Sequence, residues 1–292
     1  MSLTRRDVLR VGAFGILTSN SVDSLIAQEA QRQVLRPKLP APSADDIAKA
    51  NRLVDTIELA DIKELASISR TRVAARDAAK QAFVNNGSVQ SFVAGMNPTL
   101  RQDVLDSTLL AQLAATKQHD RFSDAENWYK KYKEVLENIG WVIQNFDFTK
   151  YSSSGGSFTV ASDVIKVLLA ICTGDEQALV TAAVEAMKKL AEGSEGFVIF
   201  EKSSHSSSQG NFQICAAAED NKMAVMKIGG FKFDSSDSVT RVLFFGFSSA
   251  SASFFKGTQN LVLNDGVYSR IRAAVKTKLG DKAEQYVKEL PI

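Results

Sequence analysis

The sequence predicts an α+β fold, in which a helical N-terminal half packs on an antiparallel sheet from the C-terminal half. Two changes of pattern indicate it. Apolar residues recur mostly at helical spacing before Gly196, and then alternate with polar residues at period two. Helical spacing returns after Asn264, which predicts a closing helix at the C-terminus. Separation of helices and strands along the chain is typical of the α+β class.

The composition is that of a globular protein with a substantial core, because 45% of the 292 residues are hydrophobic and 23% are charged. Lys and Arg total 35 against 33 Asp and Glu, which gives a formal net charge of +2. This balance argues against nucleic acid as a partner and against a polybasic membrane patch. No segment reaches the roughly 18 consecutive apolar residues of a membrane span, so we expect no integral membrane protein.

Residues 1–27 resemble a twin-arginine export signal. Arg5 and Arg6 precede a short, weakly apolar stretch at residues 11–17. Polar residues interrupt the apolar stretch soon afterwards, so a mobile or amphipathic N-terminal helix explains the segment equally well. An export signal predicts a periplasmic or secreted protein, and a plain helix predicts a cytoplasmic one.

Residues 28–43 form a predicted linker, because Pro37, Pro40 and Pro42 favour extended backbone and remove hydrogen-bond donors. We expect residues 44–292 to fold as a single α+β domain. No internal repeat divides them.

Helix signals dominate the first part of this domain. Ser43 and Asp46 form a helix start. Further helices are predicted over residues 73–83, ending at Asn85-Asn86-Gly87; over residues 98–117; after a capping box at residues 123–126; and over residues 164–191, divided near Gly174. The capping box precedes a helical stripe of Trp128, Tyr132, Val135 and Ile139. We interpret this stripe as core, with ligand binding as the alternative.

Strand signals follow, with one earlier strand predicted at residues 141–148. The later strands are predicted at residues 197–200, 212–218, 223–233, 239–247 and 254–263. A final helix begins near Asn264 and is followed by a last turn near Tyr286. Successive hairpins of this kind favour an antiparallel sheet.

Cys215 is the main candidate for chemistry. In the strand over residues 211–218 it shares a face with Asn211, Gln213 and Ala217, where small neighbours leave space. A buried cysteine that acts only as a small hydrophobe is the plain alternative. A disulfide with Cys172, the second of two cysteines, is another alternative, although a helix and a strand seldom present the required geometry.

A catalytic role for Cys215 lacks an identifiable base. If residues 206–209 form a hairpin tip, His205 pairs with Gly210 and Phe200 lies opposite Cys215. His205 is then roughly 16 Å from Cys215 along the ladder, beyond hydrogen-bond reach. His119, the other histidine, follows a helix, and nothing in the sequence places it near Cys215. Two cysteines and two histidines without ligand spacing also predict no metal site.

Several short segments of residues 45–292 resemble the Evf family of bacterial virulence factors. They are WYKKY at residues 128–132, GWV at 140–142, FDF at 146–148, GNFQIC at 210–215 and VTRVLFF at 239–245. The resemblance implies an α+β protein whose sheet cysteine carries a palmitoyl thioester, with the acyl chain in an apolar tunnel and a role in bacterial persistence in an insect gut. Cys215 occupies the position of that cysteine.

The resemblance makes a lipid-carrying virulence or host-interaction protein, S-acylated at Cys215, the leading hypothesis. Its partners are a long-chain acyl group and a host or membrane target, and covalently bound palmitate is its only cofactor. We expect the tunnel to be lined by residues 216–218, the helix over residues 164–171 and phenylalanines such as Phe244, Phe245, Phe254 and Phe255. The alternative is an acyltransferase or thioesterase with Cys215 as nucleophile and the thioester as its intermediate. A scaffold protein with a plain core cysteine is the third hypothesis.

Overall fold

The computed structural model describes residues 39, 41–61, 82–143, 148–151, 157–190, 192–248 and 251–292. Residues Pro42–Ile292 form one compact unit, and every helix and strand named below belongs to it. The signal-like residues 1–27 and most of the linker predicted at residues 28–43 lie outside the described residues.

The described residues contain eight helices, and the final two follow the long strands. The helices are α1 (Ala44–Thr56), α2 (Pro98–Gln118), α3 (Ala125–Asn138), α4 (Val160–Leu169), α5 (Asp175–Lys189), α6 (Glu195–Ser204), α7 (Asp265–Leu279) and α8 (Lys282–Tyr286). A 3₁₀ turn spans Val242–Phe244. The Ser43–Asp46 capping box at the start of α1 and the division between α4 and α5 are both present, as predicted.

The strands are β1 (Ala82–Asn85), β2 (Ser88–Phe92), β3 (Trp141–Ile143), β4 (Thr149–Tyr151), β5 (Ser157–Thr159), β6 (His205–Ser206), β7 (Gln209–Asp220), β8 (Met223–Ser235), β9 (Gly246–Ser248), β10 (Ala252–Leu263) and β11 (Val287–Glu289). Nine of these described strands form one sheet with the central order β11-β1-β2-β7-β8-β10-β3. β4 pairs with β10, β6 pairs with β7, and β5 and β9 form a separate pair. The α+β prediction is confirmed.

Helices cover both faces of the large sheet. On one face, a side chain built on Gly229 of β8 would meet Leu168 of α4, and Lys227 pairs with Glu176 of α5 at 2.6 Å. On the other face, the Asn85 amide donates to the Leu105 carbonyl of α2 at 3.0 Å. The sheet therefore has an α4–α5 side and an α2–α3 side. Successive side chains along a strand point alternately to the one side and to the other.

The sheet differs from the predicted one in its N-terminal strands. Residues 82–85 form β1 and not the end of a helix, and Asn86 and Gly87 turn the chain into β2. β2 then pairs with β7 in parallel, which makes this one step of the sheet an exception to the antiparallel prediction. Every residue of β1 and β2 is buried, so these strands lack the alternation by which a sequence reveals a half-exposed strand. Residues 73–81 of the predicted helix lie outside the described residues.

Three other predicted elements were wrong. Residues 197–200 lie in α6, because a short apolar run alone does not distinguish a strand from a buried helix. Residues 239–247 contain the 3₁₀ turn and only the start of β9. Asp124 begins α3 without a side-chain cap, while the Asp120 carboxylate accepts hydrogen bonds from the preceding turn.

No helix in the described part of the chain combines the length and the apolar character needed to cross a membrane.

Candidate functional site

Cys215 lies at the centre of the sheet. In β7 it pairs with Gln90 of β2 on one side and with Ile228 of β8 on the other. Only 1% of Cys215 is exposed. Ile228 directly precedes Gly229, which faces α4, so Cys215 faces the opposite, α2–α3 side.

A buried arginine organises the α2–α3 side of β7. The Arg121 Nε donates to the Asn211 carbonyl of β7 at 2.9 Å, and the Asn211 amide donates back to the Arg121 carbonyl at 2.9 Å. The guanidinium also stacks on the Trp128 ring, 4.3 Å from its centroid, and Trp128 stacks on Tyr132 at 5.3 Å. These contacts fix α3 over the strand that carries Cys215.

Gly87 makes this approach of Arg121 feasible. Its carbonyl accepts a hydrogen bond from the Arg121 Nη2 at 3.2 Å. A Cβ atom at this position would lie 2.6 Å from the guanidinium carbon and 2.4 Å from the Ser203 carbonyl oxygen. Only glycine fits in the turn between β1 and β2 while the guanidinium occupies this place.

Polar side chains surround Cys215 on this face. Gln213 precedes it by two residues in β7, and Gln90 is its partner in β2. The Gln90 amide nitrogen donates to the Thr108 hydroxyl of α2 at 2.8 Å. The buried side chain of Gln213 interacts with the buried hydroxyls of Tyr129 and Tyr132 of α3.

Burial controls the ionisation of the site. It raises the pKa of the Cys215 thiol far above its usual range, and Cys172 adds to the effect. Burial also raises the pKa of the Tyr132 hydroxyl, with a further increase from Cys215, whereas a hydrogen bond with the Gln213 side chain lowers it. For Arg121, burial lowers the pKa to about 10, so the guanidinium remains charged at neutral pH. The thiol and the phenol are therefore neutral at neutral pH, and the guanidinium is a cation.

Both histidines are bound to carboxylates away from Cys215. His205 pairs with Gly210, as predicted, and its Nε2 lies 3.1 Å from Glu201. Gly210 is five residues from Cys215 along β7, which corresponds to roughly 16 Å. Phe200 lies in α6 and not opposite Cys215, contrary to the prediction. His119 lies 2.9 Å from Asp124, before α3.

The disulfide alternative is wrong, because Cys172 and Cys215 are both free and both buried. Cys172 follows α4, on the opposite side of the sheet from the Cys215 side chain. In the described ranges, no group of three or more His, Cys, Asp or Glu side chains is placed to hold a metal ion.

The predicted tunnel walls lie largely on the wrong side of the sheet. The α4 helix packs on the Gly229 face, and Phe254 stacks with Phe231 on that same face. Phe244 is 41% exposed in the 3₁₀ turn and belongs to no strand. The Cys215 side chain faces the other side, between the sheet and the α2–α3 layer.

Sequence reasoning singled out Cys215 but missed Arg121, and it interpreted Tyr132 as core with ligand binding as the alternative. Tyr132 is indeed buried, as are the other members of its predicted stripe, Trp128, Val135 and Ile139. The sequence shows both parts of the site separately: the helical stripe, and Gln213 on the same strand face as Cys215. Only the fold shows that the stripe and Gln213 lie together.

Comparisons with known proteins give distant likenesses only. No family model matches the chain, and no curated protein matches it. Among solved structures, the chain is similar to a delta-endotoxin with 12% identity and a TM-score of 0.39, over 71% of this chain and 89% of that one. It is similar to the activated Cyt2Ba monomer from Bacillus thuringiensis subsp. israelensis with 10% identity and a TM-score of 0.39, over 60% of this chain and 96% of that one.

The chain is also similar to the Evf virulence factor, with 10% identity and a TM-score of 0.33, over 78% of this chain and 89% of that one. This likeness is distant and concerns the fold alone. At such scores, none of the three structures carries an argument about what this chain does.

Proposed function

We propose that this protein carries a long-chain acyl group as a thioester on Cys215 and acts in a host interaction. The observation that carries the proposal is the position of the thiol, which is buried at the centre of the sheet on the face that α2 and α3 cover, two residues from Gln213. The resemblance of residues 210–215 and of four other segments to the Evf family supports the acyl group and is the basis of the host-interaction role.

Acylation is an ordinary acyl transfer. The Cys215 sulfur, as thiolate, attacks the carbonyl carbon of an activated donor such as an acyl thioester. A new sulfur–carbon bond forms, the donor thiolate leaves, and the thiol proton passes to solvent. Because burial strongly favours the neutral thiol, we expect loading before the α2–α3 layer closes over β7, or during its transient opening.

The same geometry disfavours repeated turnover. An acyltransferase or thioesterase needs a base beside the nucleophile or its attacking water. His205 and His119 are engaged with Glu201 and Asp124 away from Cys215. A thioester sealed beneath α3 is also shielded from water. We therefore favour a carrier of the acyl group over an enzyme that releases it.

The carrier proposal is tested by the intact mass of protein purified from its native source. We expect an addition of fatty-acyl size on wild type that hydroxylamine removes. Cys172→Ala should keep the addition and Cys215→Ala should lose it, which is a matched comparison of two buried cysteines. An unmodified wild-type mass would overturn the proposal, and so would an addition that survives in Cys215→Ala.

Incubation with an acyl-thioester donor separates the carrier from the enzyme. A carrier takes up one acyl equivalent and stops, whereas an enzyme continues to release product. Sustained release that disappears in Cys215→Ser would favour the acyltransferase or thioesterase.

A further inference from the structure

Asp106 is a buried carboxyl group in the contact between α2 and α7. Only 3% of the residue is exposed. Its Oδ1 accepts a hydrogen bond of 2.7 Å from the Gln102 side chain, one turn earlier in α2. Tyr268 of α7 is fully buried nearby; burial raises the pKa of this phenol, and the Asp106 carboxyl raises it further. The Asp106 carboxyl is therefore enclosed between the two helices.

Arg272 of α7, the arginine of this contact, binds other carboxylates. Its Nε and Nη2 donate to the two oxygens of Asp103 at 2.7 and 2.8 Å, and Nη2 also donates to Asp265 at 3.1 Å. Asp103 precedes Asp106 by three residues, so the two carboxyl groups lie on the same face of α2. The charge of Lys276, an exposed residue of α7, opposes the effect of burial on Asp106 only in part. Once ionised, Asp106 is a buried anion without an ion-paired cation among the described residues.

Ionisation of Asp106 therefore weakens the packing of α7 on α2. Burial of an unpaired carboxylate costs free energy, whereas the protonated carboxyl is neutral and costs much less. Separation of the two helices returns the carboxylate to water and removes the cost. We propose that the α2–α7 contact is a pH-sensitive latch, closed while Asp106 carries its proton and open more often once the proton is lost. The latch requires no acyl group and is independent of the proposed function.

The pH range of the latch follows from the two environments of Asp106. Burial raises the pKa of this carboxyl to about 6 when α7 is docked, and opening returns it to the ordinary value of about 3.9. The open state then binds fewer protons than the closed state between these two values, so the opening equilibrium increases as the pH rises through this window. Between pH 5 and pH 7.5 the increase is about tenfold.

Hydrogen exchange of the full chain, followed by mass spectrometry at pH 5 and pH 7.5, tests the latch. Each exchange rate is divided by the intrinsic rate at the same pH, which leaves the opening equilibrium. We expect the protection of peptides from α7 to fall about tenfold at the higher pH in wild type. Peptides from β7 and β8 should keep their protection, because these strands lie in the sheet and not in the α2–α7 contact. In Asp106→Asn, whose side chain does not ionise, α7 should be equally protected at both pH values.

Asp237→Asn is the matched control. Asp237 is an exposed residue between β8 and the 3₁₀ turn, so its replacement removes a carboxyl group outside the α2–α7 contact. The pH dependence of α7 protection should be the same in this variant as in wild type.

Three results would overturn the latch. The first is equal protection of α7 at the two pH values in wild type. The second is a loss of protection as large in β7 and β8 as in α7, which would show that Asp106 acts on the whole fold and not on one contact. The third is a pH dependence that persists in Asp106→Asn. If this variant does not fold, the comparison of α7 with β7 and β8 in wild type decides.

Discussion

At the scale of single residues, Arg121 is the most consequential side chain around the site. It is a buried cation whose partners in the described residues are neutral. The guanidinium donates to the carbonyls of Asn211 and Gly87 and to the Gln112 side chain of α2. One side chain therefore joins β7, the turn between β1 and β2, and α2. The three bonds leave from the Nε, Nη1 and Nη2 atoms of one rigid planar group, so lysine is no substitute.

Replacing Arg121 should destabilise the fold strongly. Arg121→Met keeps the length of the side chain but leaves two buried acceptors, the Asn211 carbonyl and the Gln112 side-chain oxygen, without the guanidinium. We expect the free energy of unfolding to fall by about 3 kcal/mol or more. Urea denaturation measures it. Arg270→Met, at an exposed position of α7, should stay within about 0.5 kcal/mol of wild type. A loss of less than about 1 kcal/mol for Arg121→Met would mean that the guanidinium does not hold these elements together.

The candidate site was predictable from the sequence only where its features are local. Cys215 and Gln213 share a strand face, which alternation alone reveals. Arg121 was missed because its partners are distant in sequence: Asn211 is 90 residues away and Gly87 is 34 residues away. Nothing in the neighbouring residues distinguishes this arginine from a surface one.

At the scale of elements, the contact between α2 and α7 buries a carboxyl group. Asp106 of α2 is 3% exposed, and burial raises its pKa to about 6. A hydrogen bond from Gln102 and the charge of Lys276 oppose the increase, while neighbouring Asp103 adds to it. Asp103 itself is held by Arg272 of α7 in two hydrogen bonds of 2.7 and 2.8 Å. Arg272 therefore pairs with Asp103, whereas burial is the largest influence on the pKa of Asp106.

Asp106 should make the protein less stable as the pH rises from about 4 to above 6. Its pKa is higher in the folded state than the ordinary value of about 3.9, so the folded state binds more protons in this range. We expect Asp106→Asn to match wild type near pH 4 and to exceed it by on the order of 2–3 kcal/mol at pH 7. Urea denaturation at both pH values measures the difference.

Asp237→Asn, at an exposed loop position, is the control and should leave the pH dependence of stability unchanged. If Asp106→Asn follows the wild-type profile, the Asp106 carboxyl is not a source of the pH dependence.

Helices and strands could be predicted from the sequence where their apolar residues lie on one face only. The amphipathic helices α1 and α7 and the hairpin of β7 and β8 were all expected. β1, β2 and α6 were not, because β1 and β2 are buried on both faces and α6 contains a short apolar run, residues 197–200, that fits either structure. Tertiary packing, and not local sequence preference, determines the secondary structure of these three elements.

At the scale of the whole molecule, the acyl chain is expected to act as part of the core. Each buried methylene contributes about 0.8 kcal/mol, so a long chain contributes on the order of 10 kcal/mol. This is comparable with the net stability of a whole domain. The layer between the sheet and α2–α3 would contain the chain, and its loss would leave a cavity or a collapsed channel.

Removing the acyl group should therefore lower the melting temperature clearly. We expect hydroxylamine-treated protein and Cys215→Ala to melt below the acylated wild type and to bind free long-chain fatty acid, measured by calorimetry. Hydroxylamine treatment of Cys215→Ala itself should have no effect. Equal melting temperatures together with no fatty-acid uptake would exclude a structural role for the lipid.

The most direct test of the central claim is the electron density at Cys215 in crystals of protein from its native source. We predict continuous density that leaves the Cys215 Sγ, passes a carbonyl group, and continues as an unbranched chain between the sheet and the α2–α3 layer. Density that ends at the Sγ atom would contradict the account.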